Sequence, residues 1–210
     1  ITIMTPGRFA RRLLGPAFPA VGAVYRRVFV DMEKVADWIA SELQEARRVL
    51  DIGGGDGFVV NLVLDRLPDL RVTMTDLSPS IGSFISPSNR SRVDLRAGTD
   101  HAAINEAHDA VMLTDVLHHV PAGERAEFLS AVAGTADRVR ARSILFKDIE
   151  PSGVRAKLSV WADHHITGDR HVSPAPMAGV AFPGFVQATA AMIDHPNYCL
   201  RFNRERDAQG

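Results

Sequence analysis

The densest concentration of chemically capable residues is Asp51-Ile52-Gly53-Gly54-Gly55-Asp56-Gly57, four glycines framed by two carboxylates. Such glycines can take positive φ and let a ligand approach the backbone where side chains would block it. A dinucleotide-binding turn would need Gly-x-Gly-x-x-Gly with backbone amides facing a pyrophosphate. That spacing fails in every register, because Phe58, Asp56 and Val60 stand where glycine is required. Carboxylates also repel a pyrophosphate, so the loop suits a ligand that carries cationic groups.

S-adenosylmethionine (SAM) is such a ligand, with an ammonium and a sulfonium. Asp51 would orient its amino acid end, directly or through water, and Gly53 to Gly57 would give the backbone contact. Asp76 lies 19 residues beyond Gly57 at the end of a β-type run, where an acid can accept hydrogen bonds from both ribose hydroxyls. Each acid has a plainer reading: Asp51 as a turn brace, and Asp76 as an N-cap in Asp-Leu-Ser-Pro. The ordered setting favours cofactor binding.

Two histidine groups could move protons. His118 and His119 follow a β-type run, and adjacent side chains there are expected to diverge, so that one faces substrate. Asp163-His164-His165 lies with Asp169 and His171, and on a helix from Val154 the residues Leu158, Trp161 and His165 share its face. Methyl transfer from a sulfonium is a direct displacement that chiefly needs alignment and desolvation, with a histidine or carboxylate as optional base. His119, His165 and Asp163 are the catalytic candidates. No His-Glu-x-x-His spacing is present, and no functional metal is expected.

Periodicity places these residues. Apolar residues from Asp31 to Ala46 recur at helical steps, and strands are expected at 48–52, 71–75, 93–96, 110–113 and 143–147. Helices are expected over 58–67, stopped by Pro68, and from Pro121 to about Ala133. This alternation implies a doubly wound, mostly parallel Rossmann-like α/β sheet with helices on both faces. Beyond Pro151 the pattern blurs, with a helix expected over 154–166 and no assignment for 173–184. Residues 1–30 read as an N-terminal helical cap whose arginines, with Tyr25, form either a lid over the cofactor or a solvated segment. Residues 31–210 read as a single domain.

Val49 to Gly57, Asp76 after a β run, and Asp109-Ala110-Val111 leading to Leu117-His118-His119-Val120 together resemble the class I SAM-dependent methyltransferases, over roughly residues 30 to 150. The resemblance implies that family's fold, SAM as cofactor and methyl transfer to an O, N or C atom. It also implies an acid after the third strand facing the adenine amino group, here Asp100 beside Thr99, and an apolar cover for the adenine ring, here Leu77. The loop Thr114 to His119 resembles the one that borders cofactor and substrate in quinone-biosynthesis methyltransferase relatives. The cofactor set is therefore Asp51, Gly53, Gly54, Gly55, Asp76, Leu77, Thr99, Asp100, Thr114 and His118, and the helix after the fifth strand would line the acceptor site.

The 210 residues, 24 basic against 25 acidic, give a net charge of -1 and no field to collect nucleic acid or a membrane. A small-molecule acceptor is expected, in a setting compatible with secondary metabolism, with no nucleic-acid or membrane partner and a homodimer left open. One cysteine, no long apolar run and no secretory signal pattern lead us to expect a cytoplasmic protein. Three rival readings stand beside this one: a SAM-using enzyme that cyclises its cofactor, a nicotinamide-dependent oxidoreductase, and a non-catalytic protein that keeps the fold.

Overall fold

The computed structural model describes residues 31–150, 173 and 175–205. Helix α1, Met32–Glu42, starts where the Asp31 carboxylate accepts the Lys34 amide at 3.2 Å. It buries Val35, Ala36, Ile39 and Ala40 and leads into β1, Arg48–Ile52. After the glycine loop comes α2, Phe58–Arg66, followed by β2, Arg71–Asp76; β3, Val93–Ala97; and β4, Ala110–Thr114. Helix α3, Arg125–Arg138, precedes β5, Ser143–Ile149, and the described chain closes with β6, Phe185–Asp194, and β7, Asn197–Arg204.

These seven strands form one sheet in the order β3-β2-β1-β4-β5-β7-β6. The first five are parallel, and β7 pairs antiparallel with both β5 and β6. Strand parity divides the core. Val49, Met74 and Met112 pack with α1 and α2, through Ile39, Leu43, Val60 and Val63. Leu50, Val111, Leu113, Ile144 and Phe146 face the opposite way and pack with α3, through Leu129, Val132 and Ala136. Each of these side chains larger than alanine contributes about 1.5–3 kcal/mol relative to exposure.

The doubly wound, mostly parallel sheet expected from the sequence is present. Its order reverses between β1 and β4, the switch point where such sheets open a crevice at the carboxyl ends of their strands. Helix α3 differs from expectation in starting at Arg125 and running past Gly134 to Arg138. Pro121 to Glu124 form a turn first, with the Glu124 amide on the Pro121 carbonyl at 2.8 Å. The expected cap over residues 1–30 and helix over 154–166 lie outside the described residues. No described helix is long and apolar enough to cross a membrane.

Candidate active site

A cavity of about 950 Å³ opens at the switch point. Its first wall is the glycine loop. Gly53 and Gly54 both donate their amides to the Thr75 carbonyl, at 2.8 and 3.1 Å, which ties the loop to the end of β2. Gly53 adopts φ +72, and a Cβ there would stand 2.7 Å from Val116 Cγ2. At Gly54 a Cβ would run into the Asp51 carboxylate and stand 2.7 Å from Met74 Cε. The loop's glycines thus permit both a turn and a close approach over Asp51.

Asp51 shares its strand face with Val49, so its carboxylate is carried into the protein beneath the loop, fully buried. Among the described residues, neither of its oxygens accepts a hydrogen bond. An unsatisfied buried polar group costs about 1–3 kcal/mol, more when charged. Burial, reinforced by the nearby Asp76 charge, accordingly pushes the Asp51 carboxyl up to about 7. Asp76 itself accepts the Gly55 amide at 3.0 Å and the Ser78 amide at 2.8 Å, bracing loop and strand end together. Leu77 beside it is 75% exposed at the cavity wall, an apolar side chain uncovered by the protein. Asp100 caps the short turn His101–Ala103 through the Ala102 amide at 2.8 Å, and Thr99 donates its amide to the Asp76 carbonyl at 3.0 Å.

The second wall is built by the ends of β4 and β5. His118, in the turn Leu117–His119, is buried with its Nδ1 2.7 Å from Asp148 Oδ1, and its amide donates to Asp148 Oδ2 at 3.2 Å. Asp148 is fully buried in β5 and also accepts the Ile149 amide at 2.8 Å. Burial alone would lower the imidazole's pKa, but the carboxylate against it outweighs burial, and the net shift is upward. The same pairing holds Asp148 below the usual carboxylate range despite its burial. With Nδ1 committed to Asp148, Nε2 is the nitrogen left for a ligand. His119 does not diverge from His118 as expected: both line the cavity, with ring centroids 4.1 Å apart. The tight turn brings the two bulky rings side by side.

Lys147, the other charged residue of β5, is 1% exposed, with Nζ 2.5 Å from Asp115 Oδ1. Asp115 sits at φ +59, the left-handed region, which for aspartate costs roughly 1 kcal/mol. Its amide donates to the Lys147 carbonyl at 2.9 Å, so backbone and side chain are both held.

The structure therefore brings Gly53, Gly54, Gly55, Asp76, Leu77, Thr99, Asp100, Thr114, His118 and His119 to one cavity, with Asp51 beneath the loop. His165 and Asp163, with Asp169, His171 and the arginines of residues 1–27, lie outside the described residues. Sequence reasoning missed Asp115, Lys147 and Asp148. Lys147-Asp148 inside the otherwise apolar run Ser143–Ile149 was the available signal, since charges within a buried parallel strand demand partners. A cluster of Asp115, His118 and Asp148, whose ligand atoms lie within 4.8 Å of one another, has metal-like composition. Lys147 already supplies the cation there.

Residues 50–139 match the model of a methyltransferase domain family. The chain is 33% identical over 66 residues to the malonyl-[acyl-carrier protein] O-methyltransferase of Acetivibrio thermocellus, an alignment that covers 30% of this chain and 23% of that one. Among solved structures, TnmH superposes with a TM-score of 0.66 at 21% identity, covering 93% of this chain and 60% of that one. The magnesium protoporphyrin IX methyltransferase of Synechocystis PCC 6803, solved with bound SAH, gives 0.60 at 18% identity, covering 93% of this chain and all of that one. The chain thus spans about a quarter of the curated relative and three fifths of TnmH. The site fits SAM on its own terms: an orphaned, buried carboxylate, suited to a ligand's cationic group, lies directly beneath a glycine loop that lines the cavity. Residues 50–139 carry the match to a methyltransferase domain, the sheet has the class I methyltransferase fold, and the site fits SAM as cofactor.

Proposed function

We propose that this protein methylates a hydroxyl group of a small molecule, with His118 as the base that takes the acceptor's proton. The observation that carries this reading is the buried His118–Asp148 pair opening onto the same cavity as the glycine loop. Bound here, SAM would supply a methyl group made electrophilic by its sulfonium. Asp51 would hold the ammonium, Asp76 the ribose, and Leu77 and Asp100 the adenine. As the acceptor oxygen attacks, its proton passes to His118 Nε2. Asp148 fixes the tautomer that leaves Nε2 basic and stabilises the imidazolium that results. Because the histidine's pKa is raised, the rate climbs with pH through a midpoint above the ordinary 6.5.

The test is to screen hydroxylated small molecules with SAM, then compare wild type with His118→Asn. S-adenosylhomocysteine should bind both proteins equally, while transfer falls about 10²–10⁴-fold in the variant. Full transfer by His118→Asn would remove the base from the mechanism. Release of methylthioadenosine with no acceptor present would replace methyl transfer by cyclisation of the cofactor, and binding of NAD in preference to S-adenosylhomocysteine would end the methyltransferase reading.

A further inference from the structure

Lys147 is a charge the proposed mechanism does not use. It occupies a strand in which every residue is buried, and lysine is almost never fully buried without a partner. Asp115 is its ion-pair partner, and Asp115 holds that position only in a left-handed backbone conformation that aspartate seldom adopts. A buried ion pair is a poor device for stability alone, since well-packed apolar residues of the same volume often serve as well or better. This pair lies on the cavity lining with Thr114, His118 and Ile149. The Asp115 carboxylate lies within 4.8 Å of the His118–Asp148 group and 2.5 Å from Lys147 Nζ, so the lysine and the histidine share one neighbourhood of the cavity. An ammonium has three N–H donors, and Asp115 takes one.

We propose that Lys147 is a specificity-determining residue that reads a second oxygen on the acceptor, beside the hydroxyl whose proton goes to His118. The acceptor class is then one with two neighbouring oxygens, an ortho-hydroxycarbonyl compound or a 1,2-diol of an aromatic ring. The neighbouring oxygen receives Lys147's remaining donors, and the buried ammonium also favours the ionised form of the reacting hydroxyl. Asp115, 28% exposed in its side chain, keeps Lys147 neutralised and aimed until the acceptor arrives. A plain phenol satisfies His118 alone and leaves Lys147's donors without a partner, which disfavours it.

This inference rests on the methyltransferase reading, and the experiment separates the two. The S-adenosylhomocysteine complex is titrated with 2′-hydroxyacetophenone and with its 4′-hydroxy isomer, which differ only in whether the oxygens are neighbours, using wild type and Lys147→Met. Wild type should bind the ortho isomer at least tenfold more tightly, and Lys147→Met should lose that preference while keeping its affinity for S-adenosylhomocysteine. Equal affinity for the isomers, binding of neither, or a preference that survives in Lys147→Met overturns the proposal. Failure of S-adenosylhomocysteine itself to bind wild type overturns the cofactor reading beneath it. Should the abandoned Asp115 charge prevent Lys147→Met from folding, the double variant Lys147→Met with Asp115→Asn removes both charges, Asn tolerating positive φ, and must show the same loss.

Discussion

The two walls of the cavity treat charge in opposite ways. On the glycine-loop side, Asp51 is buried with no partner for either oxygen. On the β4–β5 side, each buried charge already has a counter-charge from the protein, His118 against Asp148 and Lys147 against Asp115. The first arrangement is incomplete until a cation arrives from a ligand. The second is complete beforehand, which suits groups that must keep one orientation while a proton moves. Cofactor binding on one wall is therefore tied to ionisation, whereas the other wall is organised before the acceptor enters.

The sharpest way to break this contrast is Asp148→Asn. The amide keeps the shape but can present the wrong partner to His118 Nδ1, so transfer should fall about 10²–10⁴-fold with S-adenosylhomocysteine affinity intact. A pH–rate profile shifted to lower pH in the residual activity would confirm that the carboxylate sets the histidine's pKa. Unchanged kinetics would show that the pair is not preorganised for catalysis.

Next in size is Asp51→Asn, which should weaken S-adenosylhomocysteine binding roughly 10- to 100-fold, the contribution of a hydrogen bond to a charged group. The pH dependence is the finer test. Asp51 in the ligand-free fold titrates at about 7, above its ordinary 3.8, so the fold holds a proton that the unfolded chain has lost between those values. Stability of the ligand-free protein should therefore decline as pH rises through that window. A ligand ammonium favours the ionised form, so wild-type affinity should increase with pH and level off above about 7. Isothermal titration in buffers of different ionisation enthalpy should detect the proton released, and Asp51→Asn should release none.

The smallest expected effect belongs to Gly54→Ala, whose Cβ meets Asp51 and the Met74 methyl. Shifting these groups should cost about 1–3 kcal/mol of stability and weaken cofactor binding severalfold, read from a thermal melt and a titration. A neutral result would mean that the space over Asp51 is looser than the backbone indicates.

How far this contrast could be read from the chain depended on whether a residue's role is local. The glycine loop and Asp51 share seven consecutive residues, and their chemistry shows in order and spacing. Strands β1 to β5 were equally legible, the inner ones as largely apolar runs bounded by turn residues and the edge strand β3 by the alternation of Val93 and Leu95 with Asp94 and Arg96. The β6–β7 hairpin was not: β6, mostly exposed, mixes Gln187, Thr189 and alanines, and β7 places Arg201 and Asn203 among its apolar residues. Neither gives a clean period. The charge pairs of the second wall were hidden for another reason, since Asp148 meets His118 and Lys147 meets Asp115 only after β5 docks beside β4.

That difference in locality carries over to the order of assembly. Val49 pairs with Val72 and Val72 with Val93, so the glycine-loop side is closed by neighbours in the chain. Lys147 lies opposite Cys199, and until β7 arrives from the far end of the described chain β5 is an open edge of the sheet. Loop closure over longer separations is slower. The glycine-loop wall is built from strands close in sequence, whereas the strand that carries Asp148 and Lys147 is covered along one edge only by a strand some fifty residues further on.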